Sequence, residues 1–319
     1  MKRAVLVAFL CAVVLAIAAP PHGSSAAGFS GSGSGTAGDP YMITTVGQLQ
    51  EMENSLTAHY ALGNDIDASG TVNWNGGAGF EPVGTKASMF TGSLDGRGYR
   101  ITDLYIDRSG TDNVGLFGYV GSGGVVENVE LENENVRGSW FTGGLVGVNW
   151  GIISNSYSTG PVSGNGDVGG LVGYNGGTVS NNYSTGAVVG DNYVGGLVGN
   201  NWGIVSNSFW DTQTSGQATS NGGTGKITEN MKNVRTYTDL AWSGGLSSAW
   251  DFVGNPYDDT RNGDIWGINP DVNDGYPFLM GVTPAAVPPE EFPWGLVIGI
   301  IAAIVIAIVI VALLYKRRH

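Results

Sequence analysis

Short groups of apolar residues recur along the middle of the chain, separated by glycine and asparagine. The sequence Gly143-Gly144-Leu145-Val146-Gly147 returns 26 residues later as Gly169-Gly170-Leu171-Val172-Gly173, and after a further 26 residues as Gly195-Gly196-Leu197-Val198-Gly199. None of these groups is long enough for a helix. A fixed period of this length is typical of repeat architectures, in which each period folds as one structural unit.

The similarity extends beyond the glycine-rich motif over the whole period. Residues 149–157 match residues 175–183 and 201–209, and residues 159–164 match residues 185–190. Each period therefore contains three short apolar pieces, which predict three short strands per coil of an all-β solenoid, the parallel β-helix. Equivalent residues of successive coils then stack about 4.8 Å apart.

Stacking of this kind predicts columns of equivalent side chains along the solenoid. The leucines of the motif and the aromatic residues of the second piece are expected to line the interior, and the asparagines at the corners are candidates for an amide ladder. The columns are Leu145, Leu171 and Leu197; Tyr157, Tyr183 and Phe209; and Asn155, Asn181 and Asn207. Glycine is expected at the corners because it adopts positive φ without steric cost.

Two other all-β architectures fit the period less well. A β-propeller blade needs about 40–50 residues, so a 26-residue period cannot supply its four strands. A β-sandwich does not need so strict a period. The repeat therefore favours a solenoid over both alternatives.

Both ends of a solenoid need caps, because they otherwise expose strand edges and core. Thr45 and Gln48 have the spacing of a capping box, which predicts a short helix over about 46–54. The period fades after Trp210. We therefore expect the β-helix to cover residues 40–210.

The segment 211–281 follows the repeats without sharing their period. It carries three tryptophans and a possible short helix near residues 228–234. We interpret it as a C-terminal cap or small module.

The start of the chain has the features of a secretory signal. Lys2 and Arg3 precede an apolar stretch that ends at Ala19, which is short for a membrane span. These features predict a signal peptide over residues 1–27, with an uncleaved N-terminal anchor as the alternative. A Gly/Ser-rich linker, residues 28–39, follows.

The end of the chain predicts a membrane anchor. Residues 295–314 contain no charged or polar side chain, and as a helix they would span about 30 Å, the thickness of a bilayer core. We predict a transmembrane helix over residues 294–315, followed by a basic cytoplasmic tail at 316–319. Residues 282–293 contain four prolines and are expected to form an extended stalk. The predicted protein is single-pass, with its N-terminal ectodomain outside the cell.

Charge and cysteine content restrict the partners and the means of stabilisation. All 27 acidic residues lie between the signal and the membrane span, and only nine of the 14 basic residues do, which gives this segment a net charge of −18. Such a surface repels nucleic acid and anionic lipid. The single cysteine, Cys11, lies in the signal, so the mature chain must be stable without disulfides.

The repeats resemble those of the GLUG-motif proteins. The resemblance rests on the three glycine-rich motifs and their Asn-containing continuations, and on the flanks Leu62–Asp67, Phe90–Tyr99 and Asn273–Leu279. It covers about residues 40–281. It implies a right-handed β-helix and a surface or secreted protein of archaea or bacteria, in many cases described as adhesin-like. It supplies no common active site.

The sequence contains no catalytic triad, no zinc-binding motif and no phosphate-binding loop, so we expect a protein that is not an enzyme. Three groups of charged residues are candidates for an active site. These are Asp65 with Asp67, Asp95 with Arg97, and Asp258 with Asp259. Paired acids of this kind serve polysaccharide-cleaving enzymes, but we interpret these residues as turn and corner residues with a structural role. His59 is interpreted as a surface or cap histidine.

Exposed aromatic residues are a better indication of binding. Trp150 and Trp202 occupy equivalent repeat positions, with Gly176 between them, and they could either hold sugar rings or pack on the following coil. Asn182 begins a glycosylation sequon. The stretch 271–275 resembles part of a calcium loop but lacks its spacing and closing Glu. We therefore expect no cofactor, with calcium as the alternative.

Together these features predict a membrane-anchored surface protein with a structural or adhesive function. Its expected partners are the membrane together with cell-envelope glycans or surface-layer proteins, and not nucleic acid. The alternative is a β-helix polysaccharide lyase or glycosidase that uses surface carboxylates.

Overall fold

The computed structural model describes residues 29–254 and 264–281, which belong to one compact unit. The predicted signal peptide, stalk, transmembrane helix and cytoplasmic tail lie outside the described residues, as do Asp258 and Asp259. Among the residues described, no helix is both long and apolar enough to cross a membrane.

The fold is an all-β parallel solenoid built from five sheets, numbered here by their order along one regular coil. Sheet 1 contains Trp140–Gly143, Gly166–Gly169 and Asn192–Gly195. Sheet 2 contains Phe117–Val120, Val146–Asn149, Val172–Asn175 and Val198–Asn201. Sheet 3 contains Tyr41–Ile43, His59–Leu62, Ser93–Asp95, Val125–Glu127, Ile152–Ser154, Thr178–Ser180 and Ile204–Ser206.

The remaining two sheets of the solenoid close each coil. Sheet 4 contains Ile66–Asp67, Arg100–Thr102, Glu130–Glu132, Tyr157–Ser158, Tyr183–Ser184, Phe209–Asp211 and Thr224–Lys226. Sheet 5 contains Tyr105–Asp107, Asn135–Arg137, Val162–Ser163 and Val188–Val189. A separate antiparallel pair joins Trp266–Ile268 to Pro277–Leu279.

Helices are short and lie outside the regular coils. The α-helices are Val46–Glu51, Thr228–Met231, Arg235–Thr238 and Leu240–Ser243, and the 3-10 helices are Met52–Asn54, Ser69–Gly77 and Asn273–Gly275. The N-terminal helix is confirmed, because Thr45 is its N-cap and accepts a hydrogen bond from the Gln48 amide. Gln48 Oε1 in turn accepts from the Thr44 amide at 2.7 Å, one residue earlier than the capping box predicts.

The 26-residue step is confirmed by the strand register, in which Val146 pairs with Val172 and Val172 with Val198. The predicted number of strands per coil is wrong, because a regular coil contains five. The glycine-rich motif crosses a corner between sheets 1 and 2, which divides the first predicted piece. Asn155, at φ 46°, turns the chain within the second piece and divides it between sheets 3 and 4.

The leucine column lines the interior, as predicted. Leu145, Leu171 and Leu197 are fully buried. The Leu145 amide donates to the Leu171 carbonyl at 3.1 Å, and the Leu171 amide donates to the Leu197 carbonyl at 3.0 Å. Each coil is therefore held to the next both by backbone hydrogen bonds and by apolar packing.

The motif glycines have a different cause from the predicted one. None of them adopts positive φ. The residues with positive φ that recur every 26 positions include the asparagines Asn155, Asn181 and Asn207. The last glycine of each motif, at 147, 173 and 199, is required by close approach between sheets 1 and 2. A Cβ on Gly173, for example, would lie 2.6 Å from the Phe141 carbonyl carbon and from the Thr142 amide nitrogen.

The aromatic column is buried, but not in the solenoid interior. Strand side chains alternate, and Ser158 points inwards, where its hydroxyl donates to the Gly170 carbonyl at 2.8 Å. Tyr157 and Tyr183 point outwards and stack with their ring centroids 4.8 Å apart. They are covered by a second apolar cluster that includes Trp250 and Trp266. The prediction that this column faces the interior is therefore wrong.

The segment after the repeats covers the outer side of sheet 4. Tyr276 donates to Asp211 Oδ2 at 2.7 Å, and Asn273 Nδ2 lies 2.7 Å from the Tyr183 hydroxyl. The Leu279 amide donates to Glu130 Oε1. This segment, predicted as a C-terminal cap or small module, therefore lies along several coils.

Two asparagine ladders run between coils. In the buried one, Asn149 Nδ2 donates to Asn175 Oδ1, and Asn175 Nδ2 donates to Asn201 Oδ1, each at 2.8 Å. In the predicted ladder, Asn181 Nδ2 donates to Asn155 Oδ1 at 3.3 Å. Asn207 does not continue it, because its amide group binds Ser247 and Ser248. The predicted ladder therefore covers only two of its three members.

Candidate functional site

Trp150 and Trp202 lie at the corner between sheets 2 and 3, two coils apart. Their side chains are 45% and 78% exposed. The benzo ring of Trp150 lies over Gly176, the equivalent residue of the following coil, where a Cβ would be 2.6 Å from Trp150 Cζ3. Trp150 therefore packs on the next coil with part of its ring and still presents a large exposed surface.

Trp140 repeats this arrangement on sheet 1. Its ring lies over Gly166, 26 residues further on, where a Cβ would be 2.5 Å from Trp140 Cζ3. The side chain is 39% exposed. Two tryptophans of one coil thus lie over glycines of the next.

Two further rings connect the tryptophans into a continuous surface. The centroids of Trp140 and Phe141 are 6.5 Å apart, those of Phe141 and Tyr174 are 5.9 Å apart, and those of Tyr174 and Trp150 are 5.9 Å apart. We call these four residues, together with Tyr193 and Trp202, the aromatic face. It extends over the outer side of sheets 1 and 2.

A second column of this face passes through Phe141, Asp167 and Tyr193. All three have positive φ, at 59°, 50° and 50°, which is uncommon for residues with side chains. Asp167 Oδ1 accepts a hydrogen bond from Asn200 Nδ2 at 3.2 Å, and burial raises the pKa of its carboxyl group. Asp167 is buried, so this column presents its two aromatic residues and, beside them, the half-buried Asn200 amide.

The sequence reasoning identified only Trp150 and Trp202 in this region. It missed Trp140, Phe141, Tyr174 and Tyr193, because none of these positions is aromatic in every coil. Their spacing indicates the same face, because Phe141 and Tyr193 are 52 residues apart, as are Trp150 and Trp202.

The candidate catalytic carboxylates have structural contacts. Asp65 Oδ2 lies 3.0 Å from Arg100 Nη2, and Asp65 Oδ1 accepts from the Arg100 amide. Asp67 accepts from the Ser69 hydroxyl and amide, which lowers the pKa of its carboxyl group.

Asp95 Oδ1 accepts from the Arg97 amide and from Asn128 Nδ2, each at 3.0 Å. The Arg97 side chain is 3.8 Å from the same carboxylate. His59 lies in sheet 3, with Nδ1 2.8 Å from Ser93 Oγ. The described members of the candidate pairs thus participate in turns and ion pairs, and each contact has an evident role in the fold.

A polar groove of about 560 Å³ lies beside sheet 4. Its lining includes Glu132, Lys232, Asp271, Asp274 and Tyr276. The Lys232 ammonium lies 4.7 Å from the centroid of the Tyr276 ring, and Tyr276 is nearly buried. The groove therefore offers charge but no exposed ring.

No group of three or more His, Cys, Asp or Glu side chains suited to a metal ion occurs in the described part of the chain. In the stretch considered for calcium, Asn273 Nδ2 contacts the Tyr183 hydroxyl and the Pro277 carbonyl. That amide connects the C-terminal segment to the solenoid.

The glycosylation sequon is not accessible in the folded protein. Asn182 is fully buried, and its Nδ2 donates to the carbonyl oxygens of Ile153 and Ser180, at 3.1 and 2.8 Å. Glycosylation at this nitrogen would break both hydrogen bonds and require space that the packing lacks. The proposed modification is therefore incompatible with the fold.

Comparison with known proteins gives two sequence relatives. The chain is 46% identical over 142 residues to halomucin of Haloquadratum walsbyi, a match covering 42% of this chain and 2% of halomucin. It is 37% identical over 157 residues to a proposed Gly-rich membrane protein of Evansella cellulosilytica, covering 47% of this chain and 18% of that protein. The chain thus corresponds to only a small part of either relative. No family model matches it.

A crystal structure from Bacteroides ovatus, described as a proposed immunoglobulin A1 protease, is also similar. It has 18% sequence identity and a TM-score of 0.42, and the match covers 79% of this chain and 95% of that one.

Proposed function

We propose that the chain is a non-enzymatic cell-surface protein whose solenoid presents the aromatic face to glycans of the cell envelope. The observation that carries this proposal is the exposure of Trp150 and Trp202 beside a connected set of rings. Single exposed apolar side chains are normal, whereas a contiguous exposed apolar patch marks an interaction site. Flat apolar rings with nearby hydrogen-bonding groups suit sugar rings, which have both apolar faces and hydroxyl groups.

The surface location is supported by the ends of the sequence and by the relative described as a membrane protein. We propose the C-terminal transmembrane helix as the anchor and the N-terminal signal as the means of export, with the ectodomain outside. We also propose that the repeats are of the GLUG type. We further propose that the solenoid is right-handed, since parallel β crossovers are right-handed in about 98% of cases.

Retention on envelope material tests this function. The purified full chain, in a detergent without a sugar headgroup, is applied to envelope fractions and insoluble polysaccharides. We expect retention, and at least a tenfold loss of affinity when Trp150 and Trp202 are both changed to alanine. Trp242→Ala is the matched control, because Trp242 is 38% exposed but belongs to the C-terminal segment.

Two results would contradict the proposal. Equal retention of the double variant and the parent chain would exclude the aromatic face as the binding surface. Release of new reducing ends from a polysaccharide would show an enzyme and favour the alternative function.

A further inference from the structure

The aromatic face repeats itself along the solenoid axis with a step of two coils. Trp150 and Trp202 are 52 residues apart, as are Phe141 and Tyr193. Phe141 and Tyr193 lie in sheet 1, and Trp150 and Trp202 directly follow strands of sheet 2. Since neighbouring coils are about 4.8 Å apart, the equivalent backbone positions are separated by about 9.6 Å. The face therefore has two parallel rows of aromatic positions with one common spacing.

The position between the aromatic residues is different in each row. Gly176 has no side chain and supports the Trp150 ring. Asp167 is buried, and its carboxylate accepts a hydrogen bond from Asn200. Neither middle position therefore carries an aromatic side chain, and each row has one aromatic residue in every second coil.

The two-coil step corresponds to the geometry of an extended glycan. In cellulose-type and chitin-type chains, each β-linked pyranose is rotated by about half a turn relative to the last, so every second ring presents the same face. The length of two such rings is close to two coils of the solenoid. A helical, α-linked chain of the amylose type does not keep one face on a straight line.

We infer that the aromatic face binds a linear, β-linked glycan parallel to the solenoid axis, with every second sugar ring against Trp150 and Trp202. This inference rests on the proposed function and adds the class and direction of the ligand. The net charge of −18 between the terminal segments disfavours polyanionic glycans. The expected ligand is therefore neutral or N-acetylated.

Oligosaccharides of defined length test this inference. The full chain, again in a detergent without sugar, is titrated by tryptophan fluorescence with cello-, chito- and malto-oligosaccharides of two to six rings. Three rings are the shortest ligand that reaches both tryptophans. We therefore expect at least a tenfold gain in affinity from two rings to three in a β-linked series, and at least tenfold weaker binding of malto-oligosaccharides of equal length.

Two variants show which residues cause the gain in affinity between two and three rings. Trp202→Ala should abolish the gain between two and three rings, and because this side chain is largely exposed, the variant should fold normally. Trp242→Ala should keep the gain. A normal melting curve for both variants confirms that folding is unaffected.

The possible failures are distinguishable. If β- and α-linked series bind equally, or if affinity rises by the same factor with each added ring, this inference is wrong while glycan binding stands. If neither oligosaccharides nor envelope polysaccharides bind, both the inference and the proposed function are wrong.

Discussion

Changing Gly173 to alanine should destabilise the solenoid by at least about 3 kcal/mol, at or beyond the upper end of the usual cost of overpacking. The new Cβ would lie 2.6 Å from the Phe141 carbonyl carbon and the Thr142 amide nitrogen, and 2.8 Å from the Asp167 carbonyl oxygen. All three are backbone atoms that the ladders between coils hold in place, so they cannot move as a flexible side chain can. Urea unfolding followed by tryptophan fluorescence measures the loss.

Gly110→Ala is the matched control. Gly110 has no positive φ, and a Cβ there would have no neighbour within 4 Å, so its substitution should change the free energy of unfolding by less than about 0.5 kcal/mol. Equal stability of the Gly173 and Gly110 variants would contradict the close approach of sheets 1 and 2.

The folded domain should be markedly more stable at pH 5 than at pH 8. Burial raises the pKa of Glu134 to about 7 and that of Glu130 to about 8, from an ordinary value of 4.5. Glu134 accepts from the Ser158 hydroxyl, but its Oε2 has no hydrogen-bond partner among the described residues. Such a carboxyl group is stable in the fold only while it holds its proton.

The direction in which the free energy of unfolding changes with pH follows from proton linkage. Between pH 4.5 and the raised pKa, the unfolded chain has lost the proton that the folded protein still holds, so the free energy of unfolding falls as pH rises. Each such group contributes a slope of up to about 1.4 kcal/mol per pH unit. Glu134 alone therefore removes about 3 kcal/mol of stability between pH 4.5 and its raised pKa.

A glutamine substitution isolates this effect. Glu134→Gln should reduce the slope of unfolding free energy against pH between 5 and 7 and leave the contribution of Glu130, while the same change at the exposed Glu53 should leave the slope of the parent chain. Urea unfolding at intervals of half a pH unit measures both. A rise in stability from pH 5 to pH 8 in the parent chain would contradict the buried, protonated state.

The sequence was sufficient for the features that depend on the period. A 26-residue repeat of short apolar pieces predicts parallel stacking and the leucine column directly, since equivalent residues must lie in register. The five-strand coil was not predictable in this way. The inward side chains of sheet 1 are Thr142, Val168 and Val194, so each of its strands contributes one such residue, too few for an apolar pattern.

The positions that were mispredicted depend on distant parts of the chain. Tyr157 and Tyr183 look like core residues, and they are buried, but by Trp250 and Trp266 of a segment that follows the repeats. No local pattern shows which side of a strand a later segment will cover. The aromatic face was partly predictable from Trp150 and Trp202, whereas Phe141 and Tyr174 join it only through contacts between coils.

Indole NMR signals of the full chain, ¹⁵N-labelled at tryptophan and titrated with cellohexaose or chitohexaose, test most directly whether the aromatic face binds glycan. We predict that the Nε1–H resonances of Trp150 and Trp202 shift with a common dissociation constant, while those of Trp242 and the buried Trp250 stay in place. Unchanged Trp150 and Trp202 resonances at saturating ligand, or shifts confined to Trp242, would contradict a glycan-binding aromatic face.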